Sequence, residues 1–431
     1  MIRQPGRRPL VGLLFAQGIS LLGTRMSMVA IPWFVLVSTG SALDTGLASF
    51  SEMLPYAAAA LLGGPMVDRL GPKRVSVRAD LVATAAVGLV PLAYVAHFLS
   101  FPLLCVLVGV LGAFRGVGDS AKAVLLPYAV DHAPTPMERA TGLVDGVGRT
   151  ASMIGAPVAG VLIAVAEAPS VLAIDAVTFA VAAVAVAVTI HAPMTRLSRS
   201  VHPGRENVSD ARTGSGGAYL AELREGLIWL RGDRLLRAIV LMVGTTNLLD
   251  QAATAVLVPV WVRVHHGGPS VLGALFGALA LGAVVGNVVA TWLGPHIPRR
   301  LGYGVGFLLA GAPRFAVMAL APSLAIVVAV TFVAGLGAGG LNPILGAVEY
   351  ERVPREFQAR VLGAVGALAW AGIPVGALVG GGLVAGLGLT PALIMIGSVY
   401  LAATLGPFIF PVWHAMERAT AAPRLPVTDS R

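Results

Sequence analysis

The stretch Gly64-Pro65-Met66-Val67-Asp68-Arg69-Leu70-Gly71-Pro72-Lys73-Arg74 is a short charged turn between two long apolar runs, and it organises the rest of the chain. Gly64 and Gly71 allow a sharp turn where a side chain would clash. Asp68 supplies a carboxylate beside the helix ends, and the positive charges come from Arg69, Lys73 and Arg74. Because Lys and Arg concentrate on the cytoplasmic side of membrane proteins, we predict that this turn lies at the cytoplasmic face.

The composition requires lipid as the solvent for most of the chain. Of 431 residues, 56% are hydrophobic and only 12% are charged, against about 25% charged in soluble proteins. The net charge of +9 does not indicate nucleic-acid binding, because the basic residues fall between the apolar runs and form no stripe interleaved with aromatic residues. The single cysteine, Cys105, lies in an apolar run, so no disulfide, cysteine metal site or cofactor is predicted.

Twelve segments are apolar and long enough to cross a bilayer, since a spanning helix needs about 20 apolar residues. We number them span 1 to span 12, and they cover residues 10–37, 42–67, 75–99, 103–126, 141–165, 169–190, 235–260, 271–293, 301–321, 324–347, 361–387 and 391–413. The sequence therefore predicts an all-α, multi-pass membrane protein.

The distribution of Lys and Arg predicts that both termini are cytoplasmic. The ends expected in the cytoplasm carry Arg3, Arg7, Arg8, Arg69, Lys73, Arg74, Lys122, Arg139, the basic stretch 196–237, Arg299, Arg300, Arg352, Arg355, Arg418, Arg424 and Arg431. The opposite turns carry only Arg263. The basic start of the chain is followed by no small-residue cleavage site, so we interpret span 1 as a retained helix.

One long polar break divides the spans into two sets of six. We predict an N-terminal six-helix bundle at 1–190, a flexible cytoplasmic linker at 191–217, a second bundle at 218–413 and a disordered cytoplasmic tail at 414–431. The segment 219–230 has helical apolar spacing with charges on the opposite face. It predicts a helix on the membrane surface that leads into span 7.

The spacing Gly-x-x-x-Asp-Arg-x-Gly-x-Lys-Arg resembles the loop between helices 2 and 3 of the major facilitator superfamily of secondary transporters. Other segments resemble its drug:proton antiporter branch, which contains macrolide exporters; they are 20–23, 30–36, 54–56, 174–179, 225–227, 351–354 and 359–361. The resemblance implies two pseudo-symmetric six-helix bundles. It also implies proton-coupled export of small amphipathic drugs by a monomer in a bacterial inner membrane, through alternating access.

The two halves echo each other, as parallel repeats do in that superfamily. Residues 64–71 are similar to 294–302, which lack the Asp, and residues 155–160 in span 5 are similar to 372–376 in span 11. The second pair of segments contains Pro157 and Pro374, which permit these helices to bend.

The family pattern implies a gate and also shows three departures. In that pattern Asp68 faces the start of span 11, near 358–361, where free N–H groups and the helix dipole favour an anion. The contact would hold the cytoplasmic side shut. The departures are Thr24, where the branch often has Asp, Pro72, where a basic residue is frequent, and Ala156 in a degenerate span 5 signature.

Glu52 lies inside span 2, away from either end. A charge near the bilayer centre costs about 3 kcal/mol or more, so it needs a partner or a function. The structural interpretation is a neutral acid, or one bonded to a neighbouring helix. The functional interpretation is a proton carrier or counter-charge for a cationic drug, because proton and drug would compete for one carboxylate. Arg25 in span 1 is a candidate to neutralise it.

Four further charges fall at four-residue spacing, which places each pair on one helix face. Arg115 and Asp119 lie in span 4, and the resemblance implies a coupling Arg at the first position. Asp145 and Arg149 lie in span 5. For each pair, a structural ion pair and a coupling element both remain open, and the structural interpretation is favoured for Asp145 and Arg149.

The second half is poorer in charge, so coupling is expected in the first half. Asn247 and Asp250 in span 7 and Arg314 in span 9 are candidates to line the C-terminal side of the cavity. Asp80 and Asp175 are expected near helix ends, in structural hydrogen bonds.

The favoured function is a drug exporter that exchanges protons for cargo. The alternative within transport is an exporter of one native metabolite or siderophore, or an importer. An enzyme is not expected, because the eight His are scattered and no paired His or Asp motif or nucleotide site occurs. A channel is disfavoured by the two-halved, charge-poor architecture.

Overall fold

The computed structural model describes residues 6–133, 135–190, 216–265, 268–320 and 323–417, apart from the side chains of residues 138, 216–223, 295 and 359. All regular secondary structure in these ranges is helical, which confirms the predicted all-α membrane fold. Most of the predicted linker and residues 418–431 of the predicted tail lie outside the described residues. The domain boundaries therefore stay predictions.

In the described part of the chain, six helices precede the predicted linker. They are α1 (Arg8–Thr39), α2 (Ala42–Leu62), α3 (Gly64–Leu70), α4 (Pro72–Val95), α5 (Phe101–Asp131) and α6 (Met137–Thr189). The last one is broken at Glu167, whose backbone is non-helical with φ 64° and ψ 161°. We call the two limbs α6a (137–166) and α6b (168–189).

From residue 216 onward, the described ranges contain eleven further helices. They are α7 (Gly216–Gly232), α8 (Arg234–Ala252), α9 (Val258–His265), α10 (Pro269–Leu293), α11 (Arg299–Ala310), α12 (Ala312–Leu320), α13 (Leu324–Gly339), α14 (Leu341–Arg352), α15 (Gln358–Leu387), α16 (Leu389–Thr404) and α17 (Gly406–Ile409). A π-helical turn, Ala253–Leu257, joins α8 to α9. Short 3₁₀ helices lie at Gly294–His296 and Pro411–Met416.

Ten segments of the described chain are long and apolar enough to cross a membrane as helices. One of them, Arg139–Thr189, contains both predicted span 5 and span 6. Helix α2 is not among the ten, since Glu52 and its neighbours interrupt its apolar run. The predicted span 2 also differs at its end, because α2 stops at Leu62 and a separate helix begins at Gly64. The count of twelve stays a prediction.

Small residues bring these helices into backbone contact. A Cβ added to Gly112 of α5 would lie 2.1 Å from the carbonyl oxygen of Glu52 in α2. A Cβ added to Gly23 of α1 would lie 2.1 Å from the Thr178 hydroxyl of α6b. Membrane helices gain stability from such close packing because lipid tails supply no hydrophobic force between them.

The first and second halves touch at one end of the helices, which we call the closed end. There Gly160 of α6a meets Gly273 of α10, and an added Cβ on Gly160 would lie 2.7 Å from the Gly273 Cα. Gly46 of α2 lies equally close to α15, where its Cβ would be 2.5 Å from the Ala377 carbonyl oxygen. Arg263 of α9 also donates a hydrogen bond to the Leu36 carbonyl of α1.

The same helix faces separate towards the opposite end, the open end, which carries the 64–74 turn. Gly142 and Gly146 share the face of α6a that bears Gly160, yet a Cβ on either would meet no described atom within 4 Å. Gly363 and Gly366 are equally unobstructed on the face of α15 that bears Ala377. The two halves therefore enclose a cleft that opens at this end.

Lys122 differs from its prediction as a charge at a cytoplasmic helix end. It falls inside predicted span 4, and in the structure it lies within α5, which continues to Asp131, and is only 2% exposed. Its Nζ lies 2.9 Å from Oδ1 of Asp80 and donates a longer bond to the Ser20 hydroxyl. Asp80 is likewise not near a helix end but is buried within α4. This ion pair joins α4 to α5.

The predicted disordered tail differs from the structure in its first residues. Residues 414–416 belong to the final 3₁₀ helix, and Met416 is buried. The Glu417 carboxylate accepts hydrogen bonds from the backbone N–H groups of Arg299 and Arg300, at 3.0 and 3.3 Å. It thereby satisfies free donors at the start of α11. The predicted surface helix 219–230 lies within α7, where Gly226 packs on the Arg360 carbonyl.

Replacing Lys122 with Met leaves the Asp80 carboxylate buried without its counter-charge. We expect this variant to lose about 3–5 kcal/mol of stability, because removing one partner of a buried pair strands the other. Thermal unfolding in detergent measures the loss, and the double variant Lys122→Met with Asp80→Asn should recover part of it. Arg149→Met is the control, since it breaks an exposed pair worth about 0–1 kcal/mol. Equal unfolding midpoints for both single variants would contradict the pairing.

Candidate functional site

A buried ion pair lies at the centre of the first half. Glu52 of α2 and Arg115 of α5 are 4% and 5% exposed, and Oε1 of the acid lies 2.5 Å from Nη1 of the guanidinium. The partners are 63 positions apart in sequence. Gly112 and Gly116 bring them together, because both lie on α5 against the α2 backbone at Glu52 and Tyr56.

A second contact joins the same two helices one turn further along each of them. Tyr56 follows Glu52 on α2, and its hydroxyl donates to Oδ2 of Asp119 at 3.3 Å. The Arg115 guanidinium also lies 4.6 Å from the centre of the Tyr56 ring, within the range of a cation–π interaction. The predicted pairing of Arg115 with Asp119 along one helix is therefore wrong for this conformation. Each of these side chains binds a residue of α2 instead.

Arg25 does not neutralise Glu52, because Arg115 takes that place. The Arg25 Nη1 contacts the sulfur of Met28 at 3.5 Å, and its buried Nε has no hydrogen-bond partner among the described residues. The side chain lies between α1 and α6a, since a Cβ added to Gly155 would lie 2.7 Å from the Arg25 Cβ. The predicted pairing of Arg25 with Glu52 is therefore not formed in this conformation.

Asp145 and Arg149 form the predicted pair on α6a. Nε of Arg149 lies 2.8 Å from Oδ2 of Asp145, and the Asp145 side chain is 65% exposed at the open end. Exposed pairs of this kind contribute about 0–1 kcal/mol. Among the acids proposed for coupling in the first half, Glu52 is the one held in a buried ion pair.

The second half contains an ion pair that the sequence analysis did not foresee. Arg314 of α12 donates to Asp250 of α8; the guanidinium is largely buried, whereas the acid side chain is 40% exposed. The Arg314 guanidinium also lies 4.9 Å from the centre of the Phe315 ring. Asp250 comes just before the π-helical turn, a feature frequent at functional sites. Asn247 is used in packing, since its Nδ2 donates to the Ala369 carbonyl of α15 at 2.9 Å.

The 64–74 turn lies at the open end without the contact expected of a gate. Asp68 is exposed in α3 and makes no hydrogen bond or ion pair with the described part of the chain. Gly71 has φ 84°, a backbone conformation that favours glycine. Lys73 ties the turn to α6b by donating to the Ala187 carbonyl at 2.8 Å. A Cβ added to Gly64 would meet no described atom within 4 Å. The two remaining basic residues, Arg69 and Arg74, are exposed.

The start of α15, where Asp68 was expected to bind, has other partners. Gln358 donates to the carbonyls of Tyr350 and Val353, and Arg360 pairs with Glu225 of α7 at 2.7 Å. The missing Asp68 contact agrees with the separation of the two halves at this end.

The two candidate bending prolines occupy different surroundings. Pro157 of α6a packs against α10, where a Cβ added to Gly277 would lie 2.6 Å from its ring. Pro374 lies inside the continuous helix α15. Helix α6 breaks at Glu167 and not at Pro157. Bending at these prolines stays a prediction.

Asp175, like Asp80, is a buried acid that the sequence analysis misplaced. It was expected near a helix end, but it lies within α6b and is 0% exposed. Its carboxylate accepts hydrogen bonds from Ser27 of α1 and from Thr178. The available signal was an acid within a spanning run whose neighbours Ile174 and Phe179 are apolar. Among the described residues, no group of three His, Cys, Asp or Glu could hold a metal ion.

Comparisons with known proteins place these features in context. The chain matches the family described as the Major Facilitator Superfamily over residues 13–249 and 240–429. It is 28% identical to the multidrug efflux pump Tap of Mycobacterium tuberculosis over 424 residues, which are 98% of both chains. It is 24% identical to macrolide efflux protein A of Streptococcus pyogenes over 366 residues, 84% of this chain and 85% of that protein.

Solved structures show the same fold at low identity. The nucleoside transporter NupG superimposes with a TM-score of 0.71 at 11% identity, over 93% of this chain and 99% of that one. A bacterial homologue of the human lysosomal transporter Spinster, solved in an inward-facing and unoccupied conformation, gives a TM-score of 0.65 at 16% identity. That match covers 95% of this chain and 96% of the homologue.

The close approach of α2 and α5 generates a test of the central ion pair. We expect Gly112→Ala to cost about 1–3 kcal/mol of stability, because the new methyl group overlaps the Glu52 carbonyl and forces the helices apart. Thermal unfolding in detergent measures this cost. Gly142→Ala is the matched control, since its Cβ meets no described atom within 4 Å. Equal unfolding temperatures for the two variants would show that α2 and α5 do not pack in this way.

Proposed function

This chain belongs to the Major Facilitator Superfamily, and from that premise we propose that it exports amphipathic drugs from the bacterial cytoplasm in exchange for protons. Family membership confirms the resemblance and the prediction of a multi-pass membrane transporter that is not an enzyme. Relatives named as a multidrug efflux pump and a macrolide efflux protein support drugs as the cargo. Proton exchange, alternating access and orientation belong to the proposal.

The buried Glu52–Arg115 pair is the observation that carries the proposal. An ionised pair inside a bilayer is tolerated because each charge neutralises the other. A proton or a cationic drug that reaches Glu52 removes this neutralisation and frees the Arg115 guanidinium. Proton and drug therefore compete for one carboxylate, and the competition links their movements in opposite directions. A ligand shifts a conformational equilibrium only through such differential binding.

The cleft supplies the access that this exchange requires. The 64–74 turn lies at the open end, and its basic residues favour the cytoplasm there, so the described conformation faces inward. At the closed end the halves meet through glycine and alanine, and these contacts are the ones that must part in the outward-facing conformation. In the reverse movement Asp68 would reach the start of α15, whose N–H groups attract an anion.

The Asp250–Arg314 pair supports a role for the second half in cargo binding. Its carboxylate is partly exposed while its guanidinium is held against Phe315. A cationic amphiphile can therefore approach the acid from the exposed side, beside an aromatic ring. We propose that Asp250 contributes to cargo recognition and that Glu52 responds to protons.

Inverted membrane vesicles test the exchange directly. With an acidic interior, wild-type protein should accumulate ethidium, a cationic amphiphile, and an ionophore that collapses the gradient should abolish the accumulation. We expect Glu52→Gln to reduce accumulation to the level of vesicles without transporter, because the amide keeps the shape but exchanges no proton.

Asp131→Asn is the control, since Asp131 lies exposed at the end of α5. Wild-type accumulation that persists without a gradient, or a fully active Glu52→Gln, would contradict proton exchange through this pair. Accumulation of erythromycin under the same gradient extends the test to a macrolide.

Asp68→Asn tests the gate. We expect this variant to reach the membrane in normal amounts but to lose export, because a neutral amide binds the positive start of α15 less well and the open end no longer closes. Immunoblots of membranes and ethidium efflux from cells measure the two properties. Efflux equal to that of the wild type would contradict the proposed role of Asp68 in the gate.

A further inference from the structure

Asp175 is a carboxyl group that the proposed exchange does not yet use. It lies at the contact of α6b with α1, where Ser27 donates to Oδ2 and the Thr178 hydroxyl lies 3.2 Å from Oδ1. Both hydroxyl partners are also buried. The group is thus held in one orientation inside the first half.

The backbone of α1 seals this carboxyl from water. A Cβ added to Gly23 would lie 2.2 Å from Oδ1 of Asp175, so helix α1 presses directly on the acid. The acid at this helix contact belongs to α6b.

No cation in the described residues pairs with Asp175. Of the charged groups, the fields of Arg115 on α5 and Glu52 on α2 reach it, and these two are already bound to each other. On α4, Asp80 binds Lys122 of α5. On α1, the Arg25 guanidinium contacts the Met28 sulfur, and its Nε has no hydrogen-bond partner among the described residues, so it is not paired with Asp175.

Arg115, the cation whose field reaches Asp175, binds Glu52 in this conformation. An ionised Asp175 would therefore remain uncompensated in a buried site, because two hydroxyl groups do not replace a counter-ion. A protonated Asp175 needs no counter-ion and still bonds both hydroxyls.

We propose that Asp175 carries a proton in this conformation and is a second proton-exchange position of the transport cycle. The step requires α1 to move off α6b, so that water reaches the carboxyl. The proton then passes to that water, Arg115 turns from Glu52 to the new Asp175 carboxylate, and Glu52 takes up a proton from the opposite side. One proton leaves and one enters, so charge is conserved. The inference rests on the proposed proton exchange.

The test uses the full-length protein in liposomes with a pH-sensitive dye and ethidium as the probe. Asp175→Asn keeps the size and the hydrogen-bonding ability of the side chain but cannot release a proton. We expect it to bind ethidium and to exchange it across the membrane without a gradient, while ethidium-induced proton release is lost. Proton release equal to the wild type would overturn the inference. Asp131→Asn is the matched control.

A second variant keeps the test decisive if Asp175→Asn fails to insert. Ser27→Ala removes one donor that favours the ionised carboxylate, so the midpoint of proton release should move to higher pH. An unchanged midpoint would overturn the role of Asp175. If the wild type releases no protons when ethidium is added, the proposed exchange of drug for protons is itself contradicted, and this inference fails with it.

Discussion

The neutrality of buried charge is the constraint on which this structure depends. Lipid cannot solvate an ion, so a charged side chain inside the bilayer needs a partner close by. Three such pairs occur in the described residues, and each joins different helices; they are Glu52–Arg115, Asp80–Lys122 and Asp250–Arg314. The same contacts that permit the charges to be buried also determine which helices must stay together. Any event that neutralises one partner would therefore also weaken a connection between helices.

The halves are held together by a different kind of contact. Within the first half, charges and glycines act together, as at Gly112 beside the Glu52 carbonyl. Between the halves, the closed end relies on Gly160, Gly273, Gly46 and Ala377, together with the hydrogen bond from Arg263 to the Leu36 carbonyl. Such small-residue contacts contain few side chains that must rearrange when the helices part. The strong connections thus lie inside each half and the weaker ones between them, which suits two bundles that rock against each other.

Much of the fold could be predicted from the sequence, because apolar length and the positions of Lys and Arg depend on local composition. The predicted span starts lie within a few residues of the observed helices, and the Glu52 site was recognised from one acid in an apolar run. The pairings could not be predicted, because Glu52 and Arg115 are 63 positions apart and meet only after α2 packs on α5. The four-residue spacing of Arg115 and Asp119 suggested a local pair, but the contact with α2 is closer. Lys122 was misplaced for a similar reason, since its partner Asp80 lies on another helix.

The glycine contacts at the closed end also bear on how such a protein can diversify. Main chain touches main chain there, so any replacement of Gly160 or Gly273 by another residue introduces atoms into occupied space. These two positions therefore have little freedom to change, whatever compound is being expelled. Adaptation to a new antibiotic must therefore draw on the wider part of the cleft, where Gly142 and Gly146 leave room for larger side chains.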